Sequence, residues 1–157
     1  MKKIIDSVFG ELEVYDLGWR KGYSINIFGE HYDVLLTVDG EDRIMEEQKK
    51  SYQIFEKSKN KYLSTVEGDL FKYYLENIKE IRKNIEAENY NIEAPVIENK
   101  DQFKKLIKPR EIIIPEYIDE DTTTFAITFD CTWVGDHTLV IRFDNDDIEI
   151  GTEEIIF

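Results

Sequence analysis

The apolar period changes twice along this chain, from two to about 3.6 and back to two. That order constrains the fold more than any other feature. In the first forty residues Leu12 and Val14 alternate with Glu11, Glu13 and Tyr15. Tyr23, Ile25 and Ile27 alternate with Ser24 and Asn26, and Tyr32, Val34, Leu36 and Val38 with His31, Asp33, Leu35 and Thr37. Side chains on a strand alternate faces, so such runs predict half-buried strands. The breaks at Asp16-Leu17-Gly18 and Phe28-Gly29-Glu30-His31 are too short for a parallel crossover. An antiparallel β-meander ending at Asp39-Gly40 follows.

Beyond Glu41, Ile44, Gln48, Tyr52 and Phe55 fall on one helical stripe. Ser64-Thr65-Val66-Glu67 matches a capping box and predicts the start of a second helix. Phe71, Tyr74, Ile78, Ile81 and Ile85 then recur at helical spacing, and Asn89-Tyr90-Asn91 closes the pattern. A short helix is expected over Asp101 to Ile107, stopped before Pro109. Strands return with Ile112-Ile113-Ile114, ended by Pro115. Next come Phe125 to Trp133, Leu139 to Phe143, and Ile148-Glu149-Ile150 after a turn at Asn145-Asp146-Asp147. Pairing Trp133 with Leu139, Cys131 with Ile141 and Phe129 with Phe143 puts both apolar rows on one face. Strands, then helices, then strands predict a single α+β domain over residues 1–157: an N-terminal antiparallel meander, central amphipathic helices and C-terminal antiparallel hairpins. The pattern leaves open whether the two β sections form one sheet or two layers. Oligomeric state is equally open.

The chain has 157 residues and a formal net charge of −14, and 41% of its residues are hydrophobic. It is therefore long enough and apolar enough to bury a core. Cys131 is the only cysteine, so no internal disulfide can form. The N-terminus has no apolar stretch of signal-peptide length, and no run approaches a bilayer span. A cytoplasmic protein without a membrane partner is the expectation. Residues 41–108 balance 14 Lys/Arg against 14 Asp/Glu, whereas residues 109–157 hold 2 against 13. Such a surface opposes a phosphate backbone, so nucleic acid is not an expected partner. It suits a basic protein, because complementary charge speeds and selects association. The plainer reading is that the charge maintains solubility.

Specific chemistry is harder to find. The predicted register turns Cys131 into the core, where a thiol is inert, and places His137 in a loop. Asp144-Asn145-Asp146-Asp147-Ile148-Glu149 is rich in oxygen ligands but lacks the glycine and final glutamate of a calcium hand. No cofactor or metal site is assigned, and no catalytic residue. Asp119, Glu120, Asp121, Asp144, Asp146 and Asp147 are the candidate contacts for a basic partner. Trp19 joins them either as an exposed anchor or as a cap on the core, and Tyr15 is read as a second exposed aromatic.

Phe9-Gly10-Glu11-Leu12 through Gly18-Trp19 to Ile27-Phe28-Gly29, with Gln48 and Tyr52, resembles a family of small uncharacterised bacterial proteins. So do Phe129-Asp130-Cys131-Thr132-Trp133 through His137, Leu139 to Phe143, and Ile148 to Gly151. The resemblance supplies no catalytic residues. Related proteins have an acid-rich loop ending in His-Gly where this chain has Val134-Gly135-Asp136-His137-Thr138. Some similar members are grouped with immunity proteins of polymorphic-toxin systems, which implies a role in occluding a basic toxin, such as a nuclease. Two other readings stand beside it: an enzyme using these acids with His137 in carboxylate- or metal-assisted chemistry, and a structural protein whose charge has no partner.

Overall fold

The computed structural model describes residues 2–156, and in it the two β sections form one sheet. Its eight strands are β1 (Lys3–Asp6), β2 (Gly10–Tyr15), β3 (Gly18–Ile27), β4 (Glu30–Asp39), β5 (Ile107–Ile114), β6 (Thr124–Cys131), β7 (Leu139–Asp144) and β8 (Asp147–Gly151). They lie side by side in chain order. Every neighbouring pair is antiparallel except β4 and β5, which run parallel from Leu35↔Glu111 to Val38↔Ile114. A parallel pair needs a long crossover, and residues 40–106 supply it. The fold is therefore α+β, two antiparallel sections joined edge to edge by one parallel seam.

The crossover holds α1 (Glu46–Lys57), α2 (Lys59–Arg82) and the single turns α3 (Tyr90–Glu93) and α4 (Lys100–Phe103). Its apolar stripe covers one sheet face. Gln48, Ser51, Tyr52 and Phe55 are the buried residues of α1; Leu63, Val66, Leu70 and Tyr74 are those of α2. The core row beneath them runs through Leu36, Ile112, Ile127 and Ile141 on adjacent strands. A second, smaller cluster of Ile113, Ala126, Val140 and Ile156 covers part of the opposite face. Among the described residues no helix is long and apolar enough to cross a membrane.

Several details differ from the sequence reading. β1 is an additional strand. It is joined to β2 through a turn in which Asp6 Oδ2 accepts the amides of Val8 and Phe9 at 2.8 and 2.9 Å. Ser64 lies inside α2, which begins at Lys59 directly after the break at Ser58. Glu67 accepts the Phe28 amide instead of capping a helix. That bond helps hold Phe28 at φ 55°, beside Gly29 at φ 74°, in the tight β3–β4 turn. The helix expected up to Ile107 stops at Phe103, and Pro109 sits within β5. It lies at a register shift opposite Phe129, where a strand tolerates a missing donor. Finally, β6 and β7 pair as Phe129↔Leu139, Ile127↔Ile141 and Phe125↔Phe143, four residues away from the predicted register. An even slip preserves which face each side chain takes, so the alternation could not detect it. Trp133 is freed from the strand and packs on Tyr74, ring centroids 4.8 Å apart.

Candidate functional site

The topology brings four connections to one end of the sheet: residues 16–17, 40–45, 115–123 and 145–146. They contain eight Asp or Glu residues against the single base Arg43. Asp39, Asp144 and Asp147 add carboxylates at the adjoining strand ends. Asp119, Glu120, Asp121, Asp146 and Asp147 are exposed there, as a docking surface requires. Asp16, Asp39, Glu41, Asp42 and Glu116 belong to the same end, and sequence reasoning missed them. They are scattered along the chain, and only the pairing of β3, β4 and β5 assembles them.

Two of the selected residues have structural duties. Asp144 is half-buried: Thr124 Oγ1 donates to its Oδ1 at 2.8 Å, and Arg142 Nε to its Oδ2 at 3.0 Å. Burial opposes its ionised form, but these hydrogen bonds outweigh burial and hold the carboxyl below its usual range. Trp19 is 7% exposed and lies under Gly40, whose position has no room for a Cβ, at 2.7 Å from the indole ring. It caps the core and does not stand out as an anchor. Tyr15 is half-buried too, with the Arg20 guanidinium 4.8 Å from its ring centre. Burial, with Asp39 and Glu111 nearby, pushes its phenol up to about 12.

The acidic end also contains a cavity of about 310 Å³, lined by Asp16, Leu17, Asp39, Gly40, Glu41, Pro115, Glu116, Tyr117 and Arg142. Leu17 and Tyr117 are 70% and 85% exposed, so two large apolar side chains stand among carboxylates. Arg142 is already neutralised. It pairs with Asp144, and its Nη1 donates to the Ile156 carbonyl at 2.6 Å. The walls are held from beneath by Gln48, a fully buried polar residue on the α1 stripe. Its Nε2 reaches the carbonyls of Asp39 at 2.7 Å, Pro115 at 3.0 Å and Ile114 at 3.3 Å, while its Oε1 accepts the Met45 amide at 2.9 Å. Ser51, one turn along, accepts the Thr124 amide at 3.0 Å. A polar side chain in an otherwise apolar stripe was the sequence signal for this clamp.

Asp39 is the most perturbed carboxyl at this end. Burial first, then repulsion from Glu111 and Glu116, pushes it up to about 6. Its folded value lies above the ordinary 3.8. Its contribution to stability is therefore fully present below about pH 4 and lost as the pH rises through about 6. Asp39→Asn should accordingly raise the stability by about 1–2 kcal/mol at pH 7.5, after allowance for solvent screening, with the gain vanishing near pH 4. Urea unfolding at the two pH values measures it. An equal gain at both would mean that the charge is not the cause.

His137 and the acidic cluster do not meet. The imidazole lies in the β6–β7 loop at the opposite end of the sheet, about 20 Å away across strands of six to eight residues. There its Nδ1 is 3.0 Å from Glu153 Oε1, and that hydrogen bond raises its pKa. Cys131 sits half-buried at the end of β6, and burial, reinforced by Asp130, pushes its thiol far above the usual range. Among the described residues, no three His, Cys, Asp or Glu side chains converge well enough to hold a metal ion.

A family described as a domain of unknown function (DUF6985) matches residues 8–157, and the chain belongs to it. No curated protein matches the chain, and no solved structure does.

Proposed function

We propose that this DUF6985 member is a cytoplasmic protein-binding module that occludes a basic partner with the acidic end of its sheet, in the manner of an immunity protein facing a toxin. The observation behind this reading is the convergence of four acidic connections on one sheet end, where Arg43 is the single base in the turns and Lys2 stands beside Glu41 and Asp42 at the edge. Structural stability does not require that concentration, since like charges crowded together repel. A surface that must attract a cationic protein quickly and exclude others gains from it. The same field disfavours nucleic acid.

Affinity capture from the source cell at low and high salt tests the reading, comparing the native chain with Asp119→Lys, Glu120→Lys, Asp147→Lys. All three positions are exposed, and Asp144 is spared because Thr124 and Arg142 depend on it. The native chain should retain a basic protein at low salt and lose it at high salt. The triple variant should bind at least about tenfold more weakly. Unchanged retention by the variant would place the interface elsewhere on the molecule.

A further inference from the structure

We infer that the cavity between Leu17 and Tyr117 receives one lysine or arginine side chain of the partner, flanked there by apolar residues. This inference rests on the docking reading above and gives it a specific contact. Three observations point to such an occupant. The first is charge: Asp16, Asp39, Glu41 and Glu116 line the cavity, and its single guanidinium, Arg142, is already held by Asp144 and by the Ile155 and Ile156 carbonyls. The second is an unmet demand at Asp39. This carboxylate is half-buried near Glu111 and Glu116, and burial and those two charges account for its perturbation without any hydrogen-bond donor among the described residues. A cation placed there would relieve both the burial cost and the repulsion. The third is the rim. Leu17 and Tyr117 offer an aliphatic and an aromatic wall to the stem of a long basic side chain, whose methylenes bury while its head reaches the acids.

The shape argues against a bare metal ion. A cavity of about 310 Å³ is at the lower end of the range that encloses small organic groups. Its carboxylates come from three separate connections, and no three of them converge on one point among the described residues. A guanidinium or ammonium on a flexible stem can address spread acceptors through several donors; a small ion cannot.

The probe is an acetylated, amidated pentapeptide with one arginine between two leucines and glycine at each end, titrated into the isotopically labelled full chain and followed by amide NMR shifts. A second peptide carries citrulline, which keeps the shape and removes the charge. The expected result is that shifts concentrate at Leu17, Gly40, Glu41 and Tyr117, and that citrulline weakens binding about tenfold or more. The double variant Asp39→Asn, Glu116→Gln should weaken the arginine peptide by a similar factor. Asp146→Asn, outside the cavity, should change it less than about twofold. Equal binding of the two peptides would overturn the inference. So would shifts spread evenly over all the acidic turns, or an Asp146→Asn effect as large as that of the double variant. An arginine peptide that fails to shift the cavity amides, while a basic protein is still captured at low salt, removes the cavity assignment alone. A peptide that binds as expected, with capture unaffected by the triple charge reversal, leaves the cavity in place and removes the wider surface.

Discussion

Gln48→Glu is expected to destabilise the protein by about 3–5 kcal/mol, lowering the melting temperature by about 10 °C. The side chain is fully buried, and its amide donates to three carbonyls at the ends of β4 and β5. Glutamate keeps the acceptor for the Met45 amide but removes the donors, so a carboxylate would face three carbonyl oxygens in the interior. It must then take up a proton or repel them. Gln48→Leu removes the donors without adding charge and should cost less, about 2–3 kcal/mol. Urea unfolding of the three proteins should rank glutamine above leucine above glutamate, with the glutamate variant recovering in part at acidic pH. A glutamate variant within about 1 kcal/mol of the native protein would show that the α1 clamp does not hold the parallel seam.

Gly18→Ala is expected to have an effect of the same order, at least about 3 kcal/mol, for a different reason. Gly18 opens β3 at φ 147°, and a Cβ there would stand 2.1 Å from the Val38 carbonyl oxygen and 3.0 Å from the Gly40 amide. Both obstacles are backbone, so no flexible side chain can move aside. The register Gly18↔Asp39 would have to open, which also displaces Leu17 and Asp39 from the cavity. Gly22→Ala is the control: the same strand, with nothing beyond its own chain neighbours within 4 Å of the added carbon. It should be neutral or stabilising by less than about 1 kcal/mol. Denaturant midpoints and amide-exchange protection at Gly40 and Glu41 separate the two. Equal midpoints would contradict the packing at the Gly18 position.

Both substitutions act on the same small region, where α1, the β2–β3 turn and the parallel seam meet. The acidic end thus rests on tight contacts from two directions. Its cavity walls are anchored by a buried hydrogen-bonded amide on one side and a close backbone contact on the other. In the proposed docking role, a surface anchored that way would lose little conformational entropy on binding.

Local pattern determined the element types, because the period of the apolar residues follows directly from backbone geometry. Leu12, Ile25 and Ile127 were bound to face a core, and Tyr74 was bound to lie on a helix stripe. It also determined that excess negative charge had to lie on the surface of the last third. Alternation determines parity and nothing more, so the β6–β7 register could move by four residues without disturbing a single face. Tertiary structure alone decided that β4 and β5 lie side by side, since their partnership depends on a crossover of more than sixty residues folding back. That one parallel pairing brings Asp39 beside Glu116 and gives Gln48 three carbonyls to hold. It is also what gathers Asp16, Glu41 and the turns of the last third at one end of the sheet. Trp19 shows the same division on a smaller scale: a large aromatic beside a turn is legible in the sequence, but whether it anchors a partner or closes the core depends on what lies above it, which here is Gly40.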